Sequence, residues 1–167
     1  MSHPNAELIA RFYTAFAALD EAAMAECYAS DARFRDEVFE LDGRDQVAGM
    51  WRMLCTATRA KGRDAWSLTF NGIDADDRHG KARWDVHYRF SASGRLVHNV
   101  IAAEFEFRDG RIVMHRDRFN FWRWSRQALG VPGWLLGGTP LLRRKVQAQA
   151  AANLRAFLSL PAGAVDR

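Results

Sequence analysis

Four polar side chains interrupt otherwise apolar stretches of this sequence in positions that could support proton transfer. His115 and Asp117 are two residues apart in an alternating segment, so in a β-strand their side chains lie on one face. Asp36 and Asn99 stand in two further strand-like segments. Acid–base catalysis needs one group that accepts a proton while another donates one. We therefore predict Asp117 and Asp36 as proton acceptors, His115 as a proton shuttle and Asn99 as an orienting hydrogen-bond partner.

These residues fall in a region whose hydrophobic pattern has the period of two that is typical of β-strands. Predicted strands cover residues 65–74, 81–91, 96–108 and 111–122, after one short strand at 32–36. Ser93-Gly94 and Asp109-Gly110 form short glycine-containing links, which favour antiparallel hairpins.

The alternation also predicts which face of the sheet is buried. Glu104 and Glu106 share a face with several arginines, where opposite charges can pair across strands, so we assign that face to the exterior. His115, Asp117 and Asn99 then lie on the apolar inner face, where polar groups need partners or a chemical role. A structural alternative stays open, in which His115 and Asp117 only satisfy each other or backbone groups.

Aromatic residues make up 12% of the chain, and aromatic side chains often line pockets for apolar ligands. We predict a pocket for a small hydrophobic ligand. Its predicted binding residues, besides Asn99, are Trp84, Tyr88, Phe105, Phe119, Tyr13 and Trp51.

Helices are predicted on both sides of the strand region. Apolar residues recur at helical spacing from Leu8 to Leu19, with Asn5 as the expected N-cap, and again from Val47 to Cys55. A last helix is predicted at about 141–160, after a glycine- and proline-rich segment in which residues 134–136 could cover a pocket mouth. The class is therefore α+β, with a core domain over residues 1–130 and a loop-and-helix extension of the same domain over 131–167.

Charge and cysteine content limit the other functions. The net charge of +4 is dispersed, so we expect no nucleic-acid partner. No apolar run is as long as a membrane span, and we expect a cytoplasmic protein with no membrane partner. The two cysteines lack metal-ligand spacing and no phosphate-binding loop is present, so we expect no metal and no cofactor.

Several segments resemble the SnoaL-like, or nuclear transport factor 2-like, superfamily of ketosteroid isomerases, limonene epoxide hydrolases and polyketide cyclases. The resemblance runs from about Glu7 to Gly130 and is carried by residues 8–13, 27–36, 109–120 and 127–130. It implies a cone-shaped curved antiparallel sheet wrapped around N-terminal helices, to which this chain adds a C-terminal helix. It also implies a homodimer.

The resemblance does not select one reaction. Asp36 corresponds to the general base of ketosteroid isomerases, but their oxyanion-binding Tyr and Asp correspond to Phe12 and Ala103. Asp117 resembles one catalytic Asp of the epoxide hydrolases. Arg83-Trp84-Asp85 has the same residue types as their Arg-x-Asp element. However, the alternation places Arg83 and Asp85 on the outer face of the sheet unless a bulge rotates them inward.

Two functions therefore stay open. The first is an acid–base enzyme, a cyclase, isomerase or hydrolase, that acts on a small hydrophobic substrate. The second is a non-catalytic ligand-binding or accessory domain that uses the same pocket. A third and weaker hypothesis is an interaction domain that functions through its dimer surface, which an interior filled by its own side chains would favour.

Overall fold

A computed structural model describes residues 2–161 and shows six helices and six strands in that range. The helices are α1 (Pro4–Ala17), α2 (Glu21–Glu26), α3 (Arg44–Lys61), α4 (Phe121–Leu129), α5 (Val131–Leu136) and α6 (Pro140–Leu158). The strands are β1 (Tyr28–Arg35), β2 (Glu40–Asp42), β3 (Ser67–Ala75), β4 (His79–Arg89), β5 (Leu96–Arg108) and β6 (Arg111–Arg118). The predicted extension is described up to residue 161; its last six residues, 162–167, lie outside the described part.

One curved sheet contains all six strands in the order β2-β1-β6-β5-β4-β3. The hairpins β3–β4, β4–β5 and β5–β6 are antiparallel, as their short links predict, whereas β1 runs parallel to β6. The sheet does not close into a barrel. The predicted α+β cone with helices at both ends is confirmed, with this one parallel pairing added.

Two predicted helix details are corrected by the structure. His3, not Asn5, is the N-cap of α1, and the buried Asn5 side chain instead donates to the backbone carbonyls of Asp76 and Asp77. The last strand was predicted to continue to residue 122, but β6 ends at Arg118 and α4 begins at Phe121. Asn120 starts this helix because its side chain accepts a hydrogen bond from the Arg123 N–H at 2.9 Å.

The hydrophobic core lies between α1, α3 and the inner face of the sheet. Trp84, Ile101 and Phe105 are each less than a tenth exposed, which confirms the inner face that the alternation predicted. A register shift between Glu106 and Phe107 turns Ile112 fully inward. Among the described residues, no helix has both the length and the apolar character that crossing a bilayer requires.

The segment 134–136, predicted as a possible cover of a pocket mouth, is largely exposed to solvent. Trp134, Leu135 and Leu136 in α5 are 61%, 73% and 46% exposed. The Trp134 ring lies 6.2 Å from the Trp122 ring and 5.8 Å from the Arg126 guanidinium.

Candidate functional site

A buried chain of hydrogen bonds runs across the interior and ends at Asp117. The Trp51 indole donates to the Tyr28 oxygen at 3.0 Å, Tyr28 lies 2.7 Å from His115 Nδ1, and His115 Nε2 lies 3.0 Å from Asp117 Oδ1. A carboxylate oxygen only accepts, so a neutral His115 with its hydrogen on Nε2 donates to Asp117 and accepts a hydrogen bond from the Tyr28 hydroxyl at Nδ1. Each donor in this series of hydrogen bonds has an acceptor, and each bond is donated in the direction of Asp117.

Asp117 is held by two donors and keeps one oxygen unused. Trp84 Nε1 lies 3.4 Å from the same Oδ1 that His115 contacts, while no residue between 2 and 161 donates a hydrogen bond to Oδ2. The residue is 3% exposed. The free oxygen can accept a proton or a hydrogen bond from a ligand.

His115 is fully buried, with 0% exposure. The rings of Phe105, Phe34 and Phe12 surround it at centroid distances of 4.4, 5.1 and 5.5 Å. It therefore lies behind Asp117, where it orients the carboxylate, and its contact with any ligand would run through Asp117.

The Tyr13 hydroxyl is a second polar group in this region. It is buried and has no hydrogen-bond partner in the described part of the chain. Burial, and then the nearby charges of Asp117 and Tyr28, raise the pKa of the Tyr13 phenol well above its ordinary value. A buried hydroxyl without a partner is costly, so a ligand or water that accepts its proton would be stabilised here.

Asp36 follows directly after β1 and is partly buried. Its Oδ1 accepts hydrogen bonds from the backbone N–H groups of Val38 at 2.7 Å and Phe39 at 2.6 Å. Burial raises the pKa of Asp36 from 3.8 to about 7, and the charge of Asp117 adds to this effect, although the two backbone bonds oppose it. Asp36 is thus poised between its protonated and ionised forms near neutral pH.

The other predicted ligand-binding residues divide into two groups. Tyr88, Asn99 and Phe119 are half-buried. Tyr88 and Phe119 contact both hydrophobic clusters of the protein, and burial raises the pKa of the Tyr88 phenol, which accepts the Trp124 indole N–H, to about 12. These three residues are thus less buried than the rest of the predicted set.

The second group packs as core. Trp51 stacks edge-on to Phe16 at 4.9 Å, and the Tyr13 ring lies 5.8 Å from Trp84 and 6.3 Å from Phe105. These four predicted wall residues fill the end of the cone beside α1.

The structure places Arg83 and Asp85 on the outer face. Trp84 between them points inward, and Asp85 hydrogen-bonds to His98 on the neighbouring strand. The irregularity in the β3–β4 pairing lies between Asn71 and Asp74, so no bulge rotates Arg83 inward. The Arg-x-Asp arrangement of the epoxide hydrolases is therefore absent from the inner face.

Tyr28 is a site residue that was not predicted from the sequence. Tyr28 is fully buried at the start of β1, but a register shift between Tyr28 and Arg33 interrupts the alternation, so strand parity gave no signal for this residue. A cleft of about 400 Å³ on the outer face, lined in part by Lys81, Glu104 and Arg116, shares only Phe105 with the predicted site.

Comparison with known proteins gives a family. A family model described as a SnoaL-like domain matches residues 9–115. The chain belongs to the SnoaL-like domain family. No match to a functionally curated protein is found.

Solved structures that share this SnoaL-like fold carry different activities in their names. An LEH-like epoxide hydrolase from M. tuberculosis superposes with a TM-score of 0.61 and 17% identity, covering 75% of this chain and 90% of its own. A Silicibacter protein provisionally named a polyketide cyclase gives a TM-score of 0.62 and 21% identity, covering 75% and 96%. A Catenulispora acidiphila protein with a ketosteroid isomerase-like fold, bound to trimethylamine, gives 0.62 and 17%, covering 76% and 95%. At these identities the similarity establishes the fold alone.

Proposed function

We propose that this SnoaL-like protein is a cofactor-independent acid–base enzyme that acts on a small hydrophobic molecule. The observation that supports it is the unused Asp117 Oδ2, backed by the chain from Trp51 through Tyr28 and His115. The fold family contains proteins named for small-molecule chemistry, which agrees with this class.

In this proposal, Asp117 accepts a proton from a C–H group or a water molecule of the reacting complex. Its Oδ1 is already held by His115 and Trp84, so little rearrangement is needed when Oδ2 binds the substrate. Asp36, with its pKa near 7, returns a proton to the product. The Tyr13 hydroxyl, which lacks a partner, would donate to a substrate oxygen on which negative charge develops.

Tyr88, Asn99 and Phe119 are proposed to contact the apolar body of the substrate, with Trp84, Phe105, Tyr13 and Trp51 as the closed end of the site. A cytoplasmic location and a homodimer stay predictions, as does the division into a core domain and an extension.

Asp117→Asn is expected to lower turnover by about 10²–10⁴-fold, because an amide has the size of the carboxylate but cannot accept the proton. Turnover would be measured with a panel of epoxides, β,γ-unsaturated ketones and poly-β-ketone esters, which represent hydrolysis, isomerisation and cyclisation. Asp109→Asn is the matched control, since Asp109 lies in the exposed β5–β6 turn. Equal turnover of wild type and Asp117→Asn, with both proteins folded, would contradict the proposal. Ligand binding without product formation by wild type would favour the non-catalytic binding domain instead.

Asp36 gives a separate prediction about pH and stability. The native carboxyl keeps its proton up to about pH 7, whereas the ordinary value is 3.8. Its contribution to the free energy of unfolding is therefore greatest below about pH 4 and is lost as the pH rises to about 7. Asp36→Asn keeps an Oδ1 acceptor for the turn but cannot ionise. Its stability relative to wild type should thus rise between about pH 5 and about pH 8.

Urea unfolding of both proteins at the two pH values measures this difference. Asp109→Asn provides the control for the loss of one exposed carboxylate. A wild-type to Asp36→Asn difference that is the same at both pH values would show that the Asp36 carboxyl is not perturbed in the native state.

A further inference from the structure

Three metal-ligating side chains meet on the outer face of the sheet, away from the proposed active site. Asp85 and His87 are two residues apart in β4, so they share a face, and His98 lies directly opposite His87 in β5. One ligand atom from each of the three residues lies within 4.8 Å of the other two. No role in the inner site accounts for this cluster.

The side chains are already oriented toward one another. The two imidazole rings are parallel, with an interplanar angle of 5° and centroids 4.1 Å apart. His98 Nε2 forms a hydrogen bond with Asp85 Oδ1, and Ser67 lies 3.4 Å from His87 Nδ1. The side chains of Asp85 and His98 are each 37% exposed, so an ion can reach them from solvent.

The backbone beneath the cluster is well supported. Gln127 of α4 accepts a hydrogen bond from the His98 N–H at 2.8 Å and donates to the His98 carbonyl at 3.0 Å. This contact holds β5 beyond the point where β6 ends. Arg89, the nearest cation beyond His87 in β4, is paired with Asp64 at 2.7 Å, so its charge is already compensated.

Two imidazoles and one carboxylate are a common ligand set for Zn²⁺, which binds them at about 2.0–2.2 Å and takes a tetrahedral arrangement. Residues two apart on one strand with a third across the ladder supply three corners of a tetrahedron. Small rotations of these exposed side chains would close the present separation of their ligand atoms. A fourth position would face solvent and could hold water or an external ligand.

We propose that Asp85, His87 and His98 bind one divalent transition-metal ion of the Zn²⁺ type on the outer face of the sheet. The bound ion joins β4 to β5 and stabilises the folded chain, since it binds the native arrangement and not the unfolded one. This proposal does not depend on the inner site or on the proposed function.

Isothermal titration of untagged, chelator-treated protein with ZnCl₂ tests the site directly. We expect one Zn²⁺ per chain, and a rise in the thermal unfolding temperature when Zn²⁺ is added. His98→Ala and Asp85→Asn should each weaken binding by at least about tenfold. His79→Ala is the control, because His79 is an exposed histidine outside the cluster, and its affinity should match wild type.

Cobalt binding gives a second readout, which reports the coordination geometry as well as binding. Co²⁺ in a tetrahedral site of nitrogen and oxygen ligands absorbs strongly in the visible range, and this band should appear in wild type and His79→Ala but not in His98→Ala. The proposal would be overturned if wild type bound no Zn²⁺, or if His98→Ala and Asp85→Asn bound it as wild type does. Circular dichroism establishes that each variant is folded.

Discussion

Trp51→Ala is expected to lower the free energy of unfolding by about 3–5 kcal/mol, the usual cost of deleting a buried indole. Trp51 is 3% exposed and its ring contacts Phe16, Phe34 and Phe12 at centroid distances of 4.9, 5.3 and 5.7 Å. The substitution leaves a cavity in the centre of the cone. It also removes the indole N–H that donates to Tyr28. Since domains unfold with about 5–15 kcal/mol in total, the loss is a large share of the stability.

Thermal unfolding should show a decrease of about 6–20 °C in the midpoint for a chain of this size. Trp134→Ala is the matched control, because Trp134 is 61% exposed, and we expect it to change the unfolding free energy by less than about 1 kcal/mol. Trp51→Phe keeps a six-membered ring but loses the remaining indole atoms and the N–H donor, so its effect should be intermediate. Equal stabilities of Trp51→Ala and Trp134→Ala would mean that the interior is not packed as described.

Gly133→Ala is the second substitution with a large expected effect. A Cβ atom at Gly133 would lie 1.9 Å from the Ser125 carbonyl oxygen and 2.4 Å from its carbonyl carbon, and these backbone atoms cannot rotate away. The helices α4 and α5 would have to separate, which should destabilise the protein by about 1–3 kcal/mol or more. Helix propensity alone predicts the opposite sign, since alanine is favoured over glycine by about 1 kcal/mol within a helix.

Gly138→Ala provides the control for this prediction, because a Cβ atom there meets nothing within 4 Å. We expect a change in unfolding free energy close to zero or slightly stabilising. Chemical unfolding followed by tryptophan fluorescence measures both variants. A Gly133→Ala protein as stable as Gly138→Ala would contradict the close contact between α4 and α5.

The inner face of β4 and β5 could be predicted because polar and apolar residues alternate along all eleven residues of β4 and along the second half of β5, from Ala103 to Arg108. The positions of His115 and Asp117 followed from the same rule in β6. These strands are bounded by turns with glycine, and their outer face carries charges of both signs, so only one phase satisfies all of them. The family resemblance and the alternation of polar and apolar residues therefore predicted the same fold.

Other features depend on tertiary contacts that no local pattern contains. The shift near Glu106 is set by how β5 pairs with β6. Tyr28 and His115 are 87 positions apart in the sequence. The parallel pairing of β1 with β6 brings them into hydrogen-bonding distance. The start of α4 was missed because Phe119 and Phe121 continue the apolar alternation, and the cap formed by Asn120 overrides it.

The loop that carries Asp36 is anchored from outside the region matched by the family model. Glu37 is ion-paired with Arg143, and its carbonyl accepts a hydrogen bond from the Gln147 side chain at 3.1 Å. Two residues of α6 thus hold Glu37, which directly follows Asp36 in the sequence. A displacement of α6 would move Glu37 and, through the one peptide bond between them, Asp36, whose pKa is about 7. The C-terminal helix therefore helps to position a residue of the candidate site.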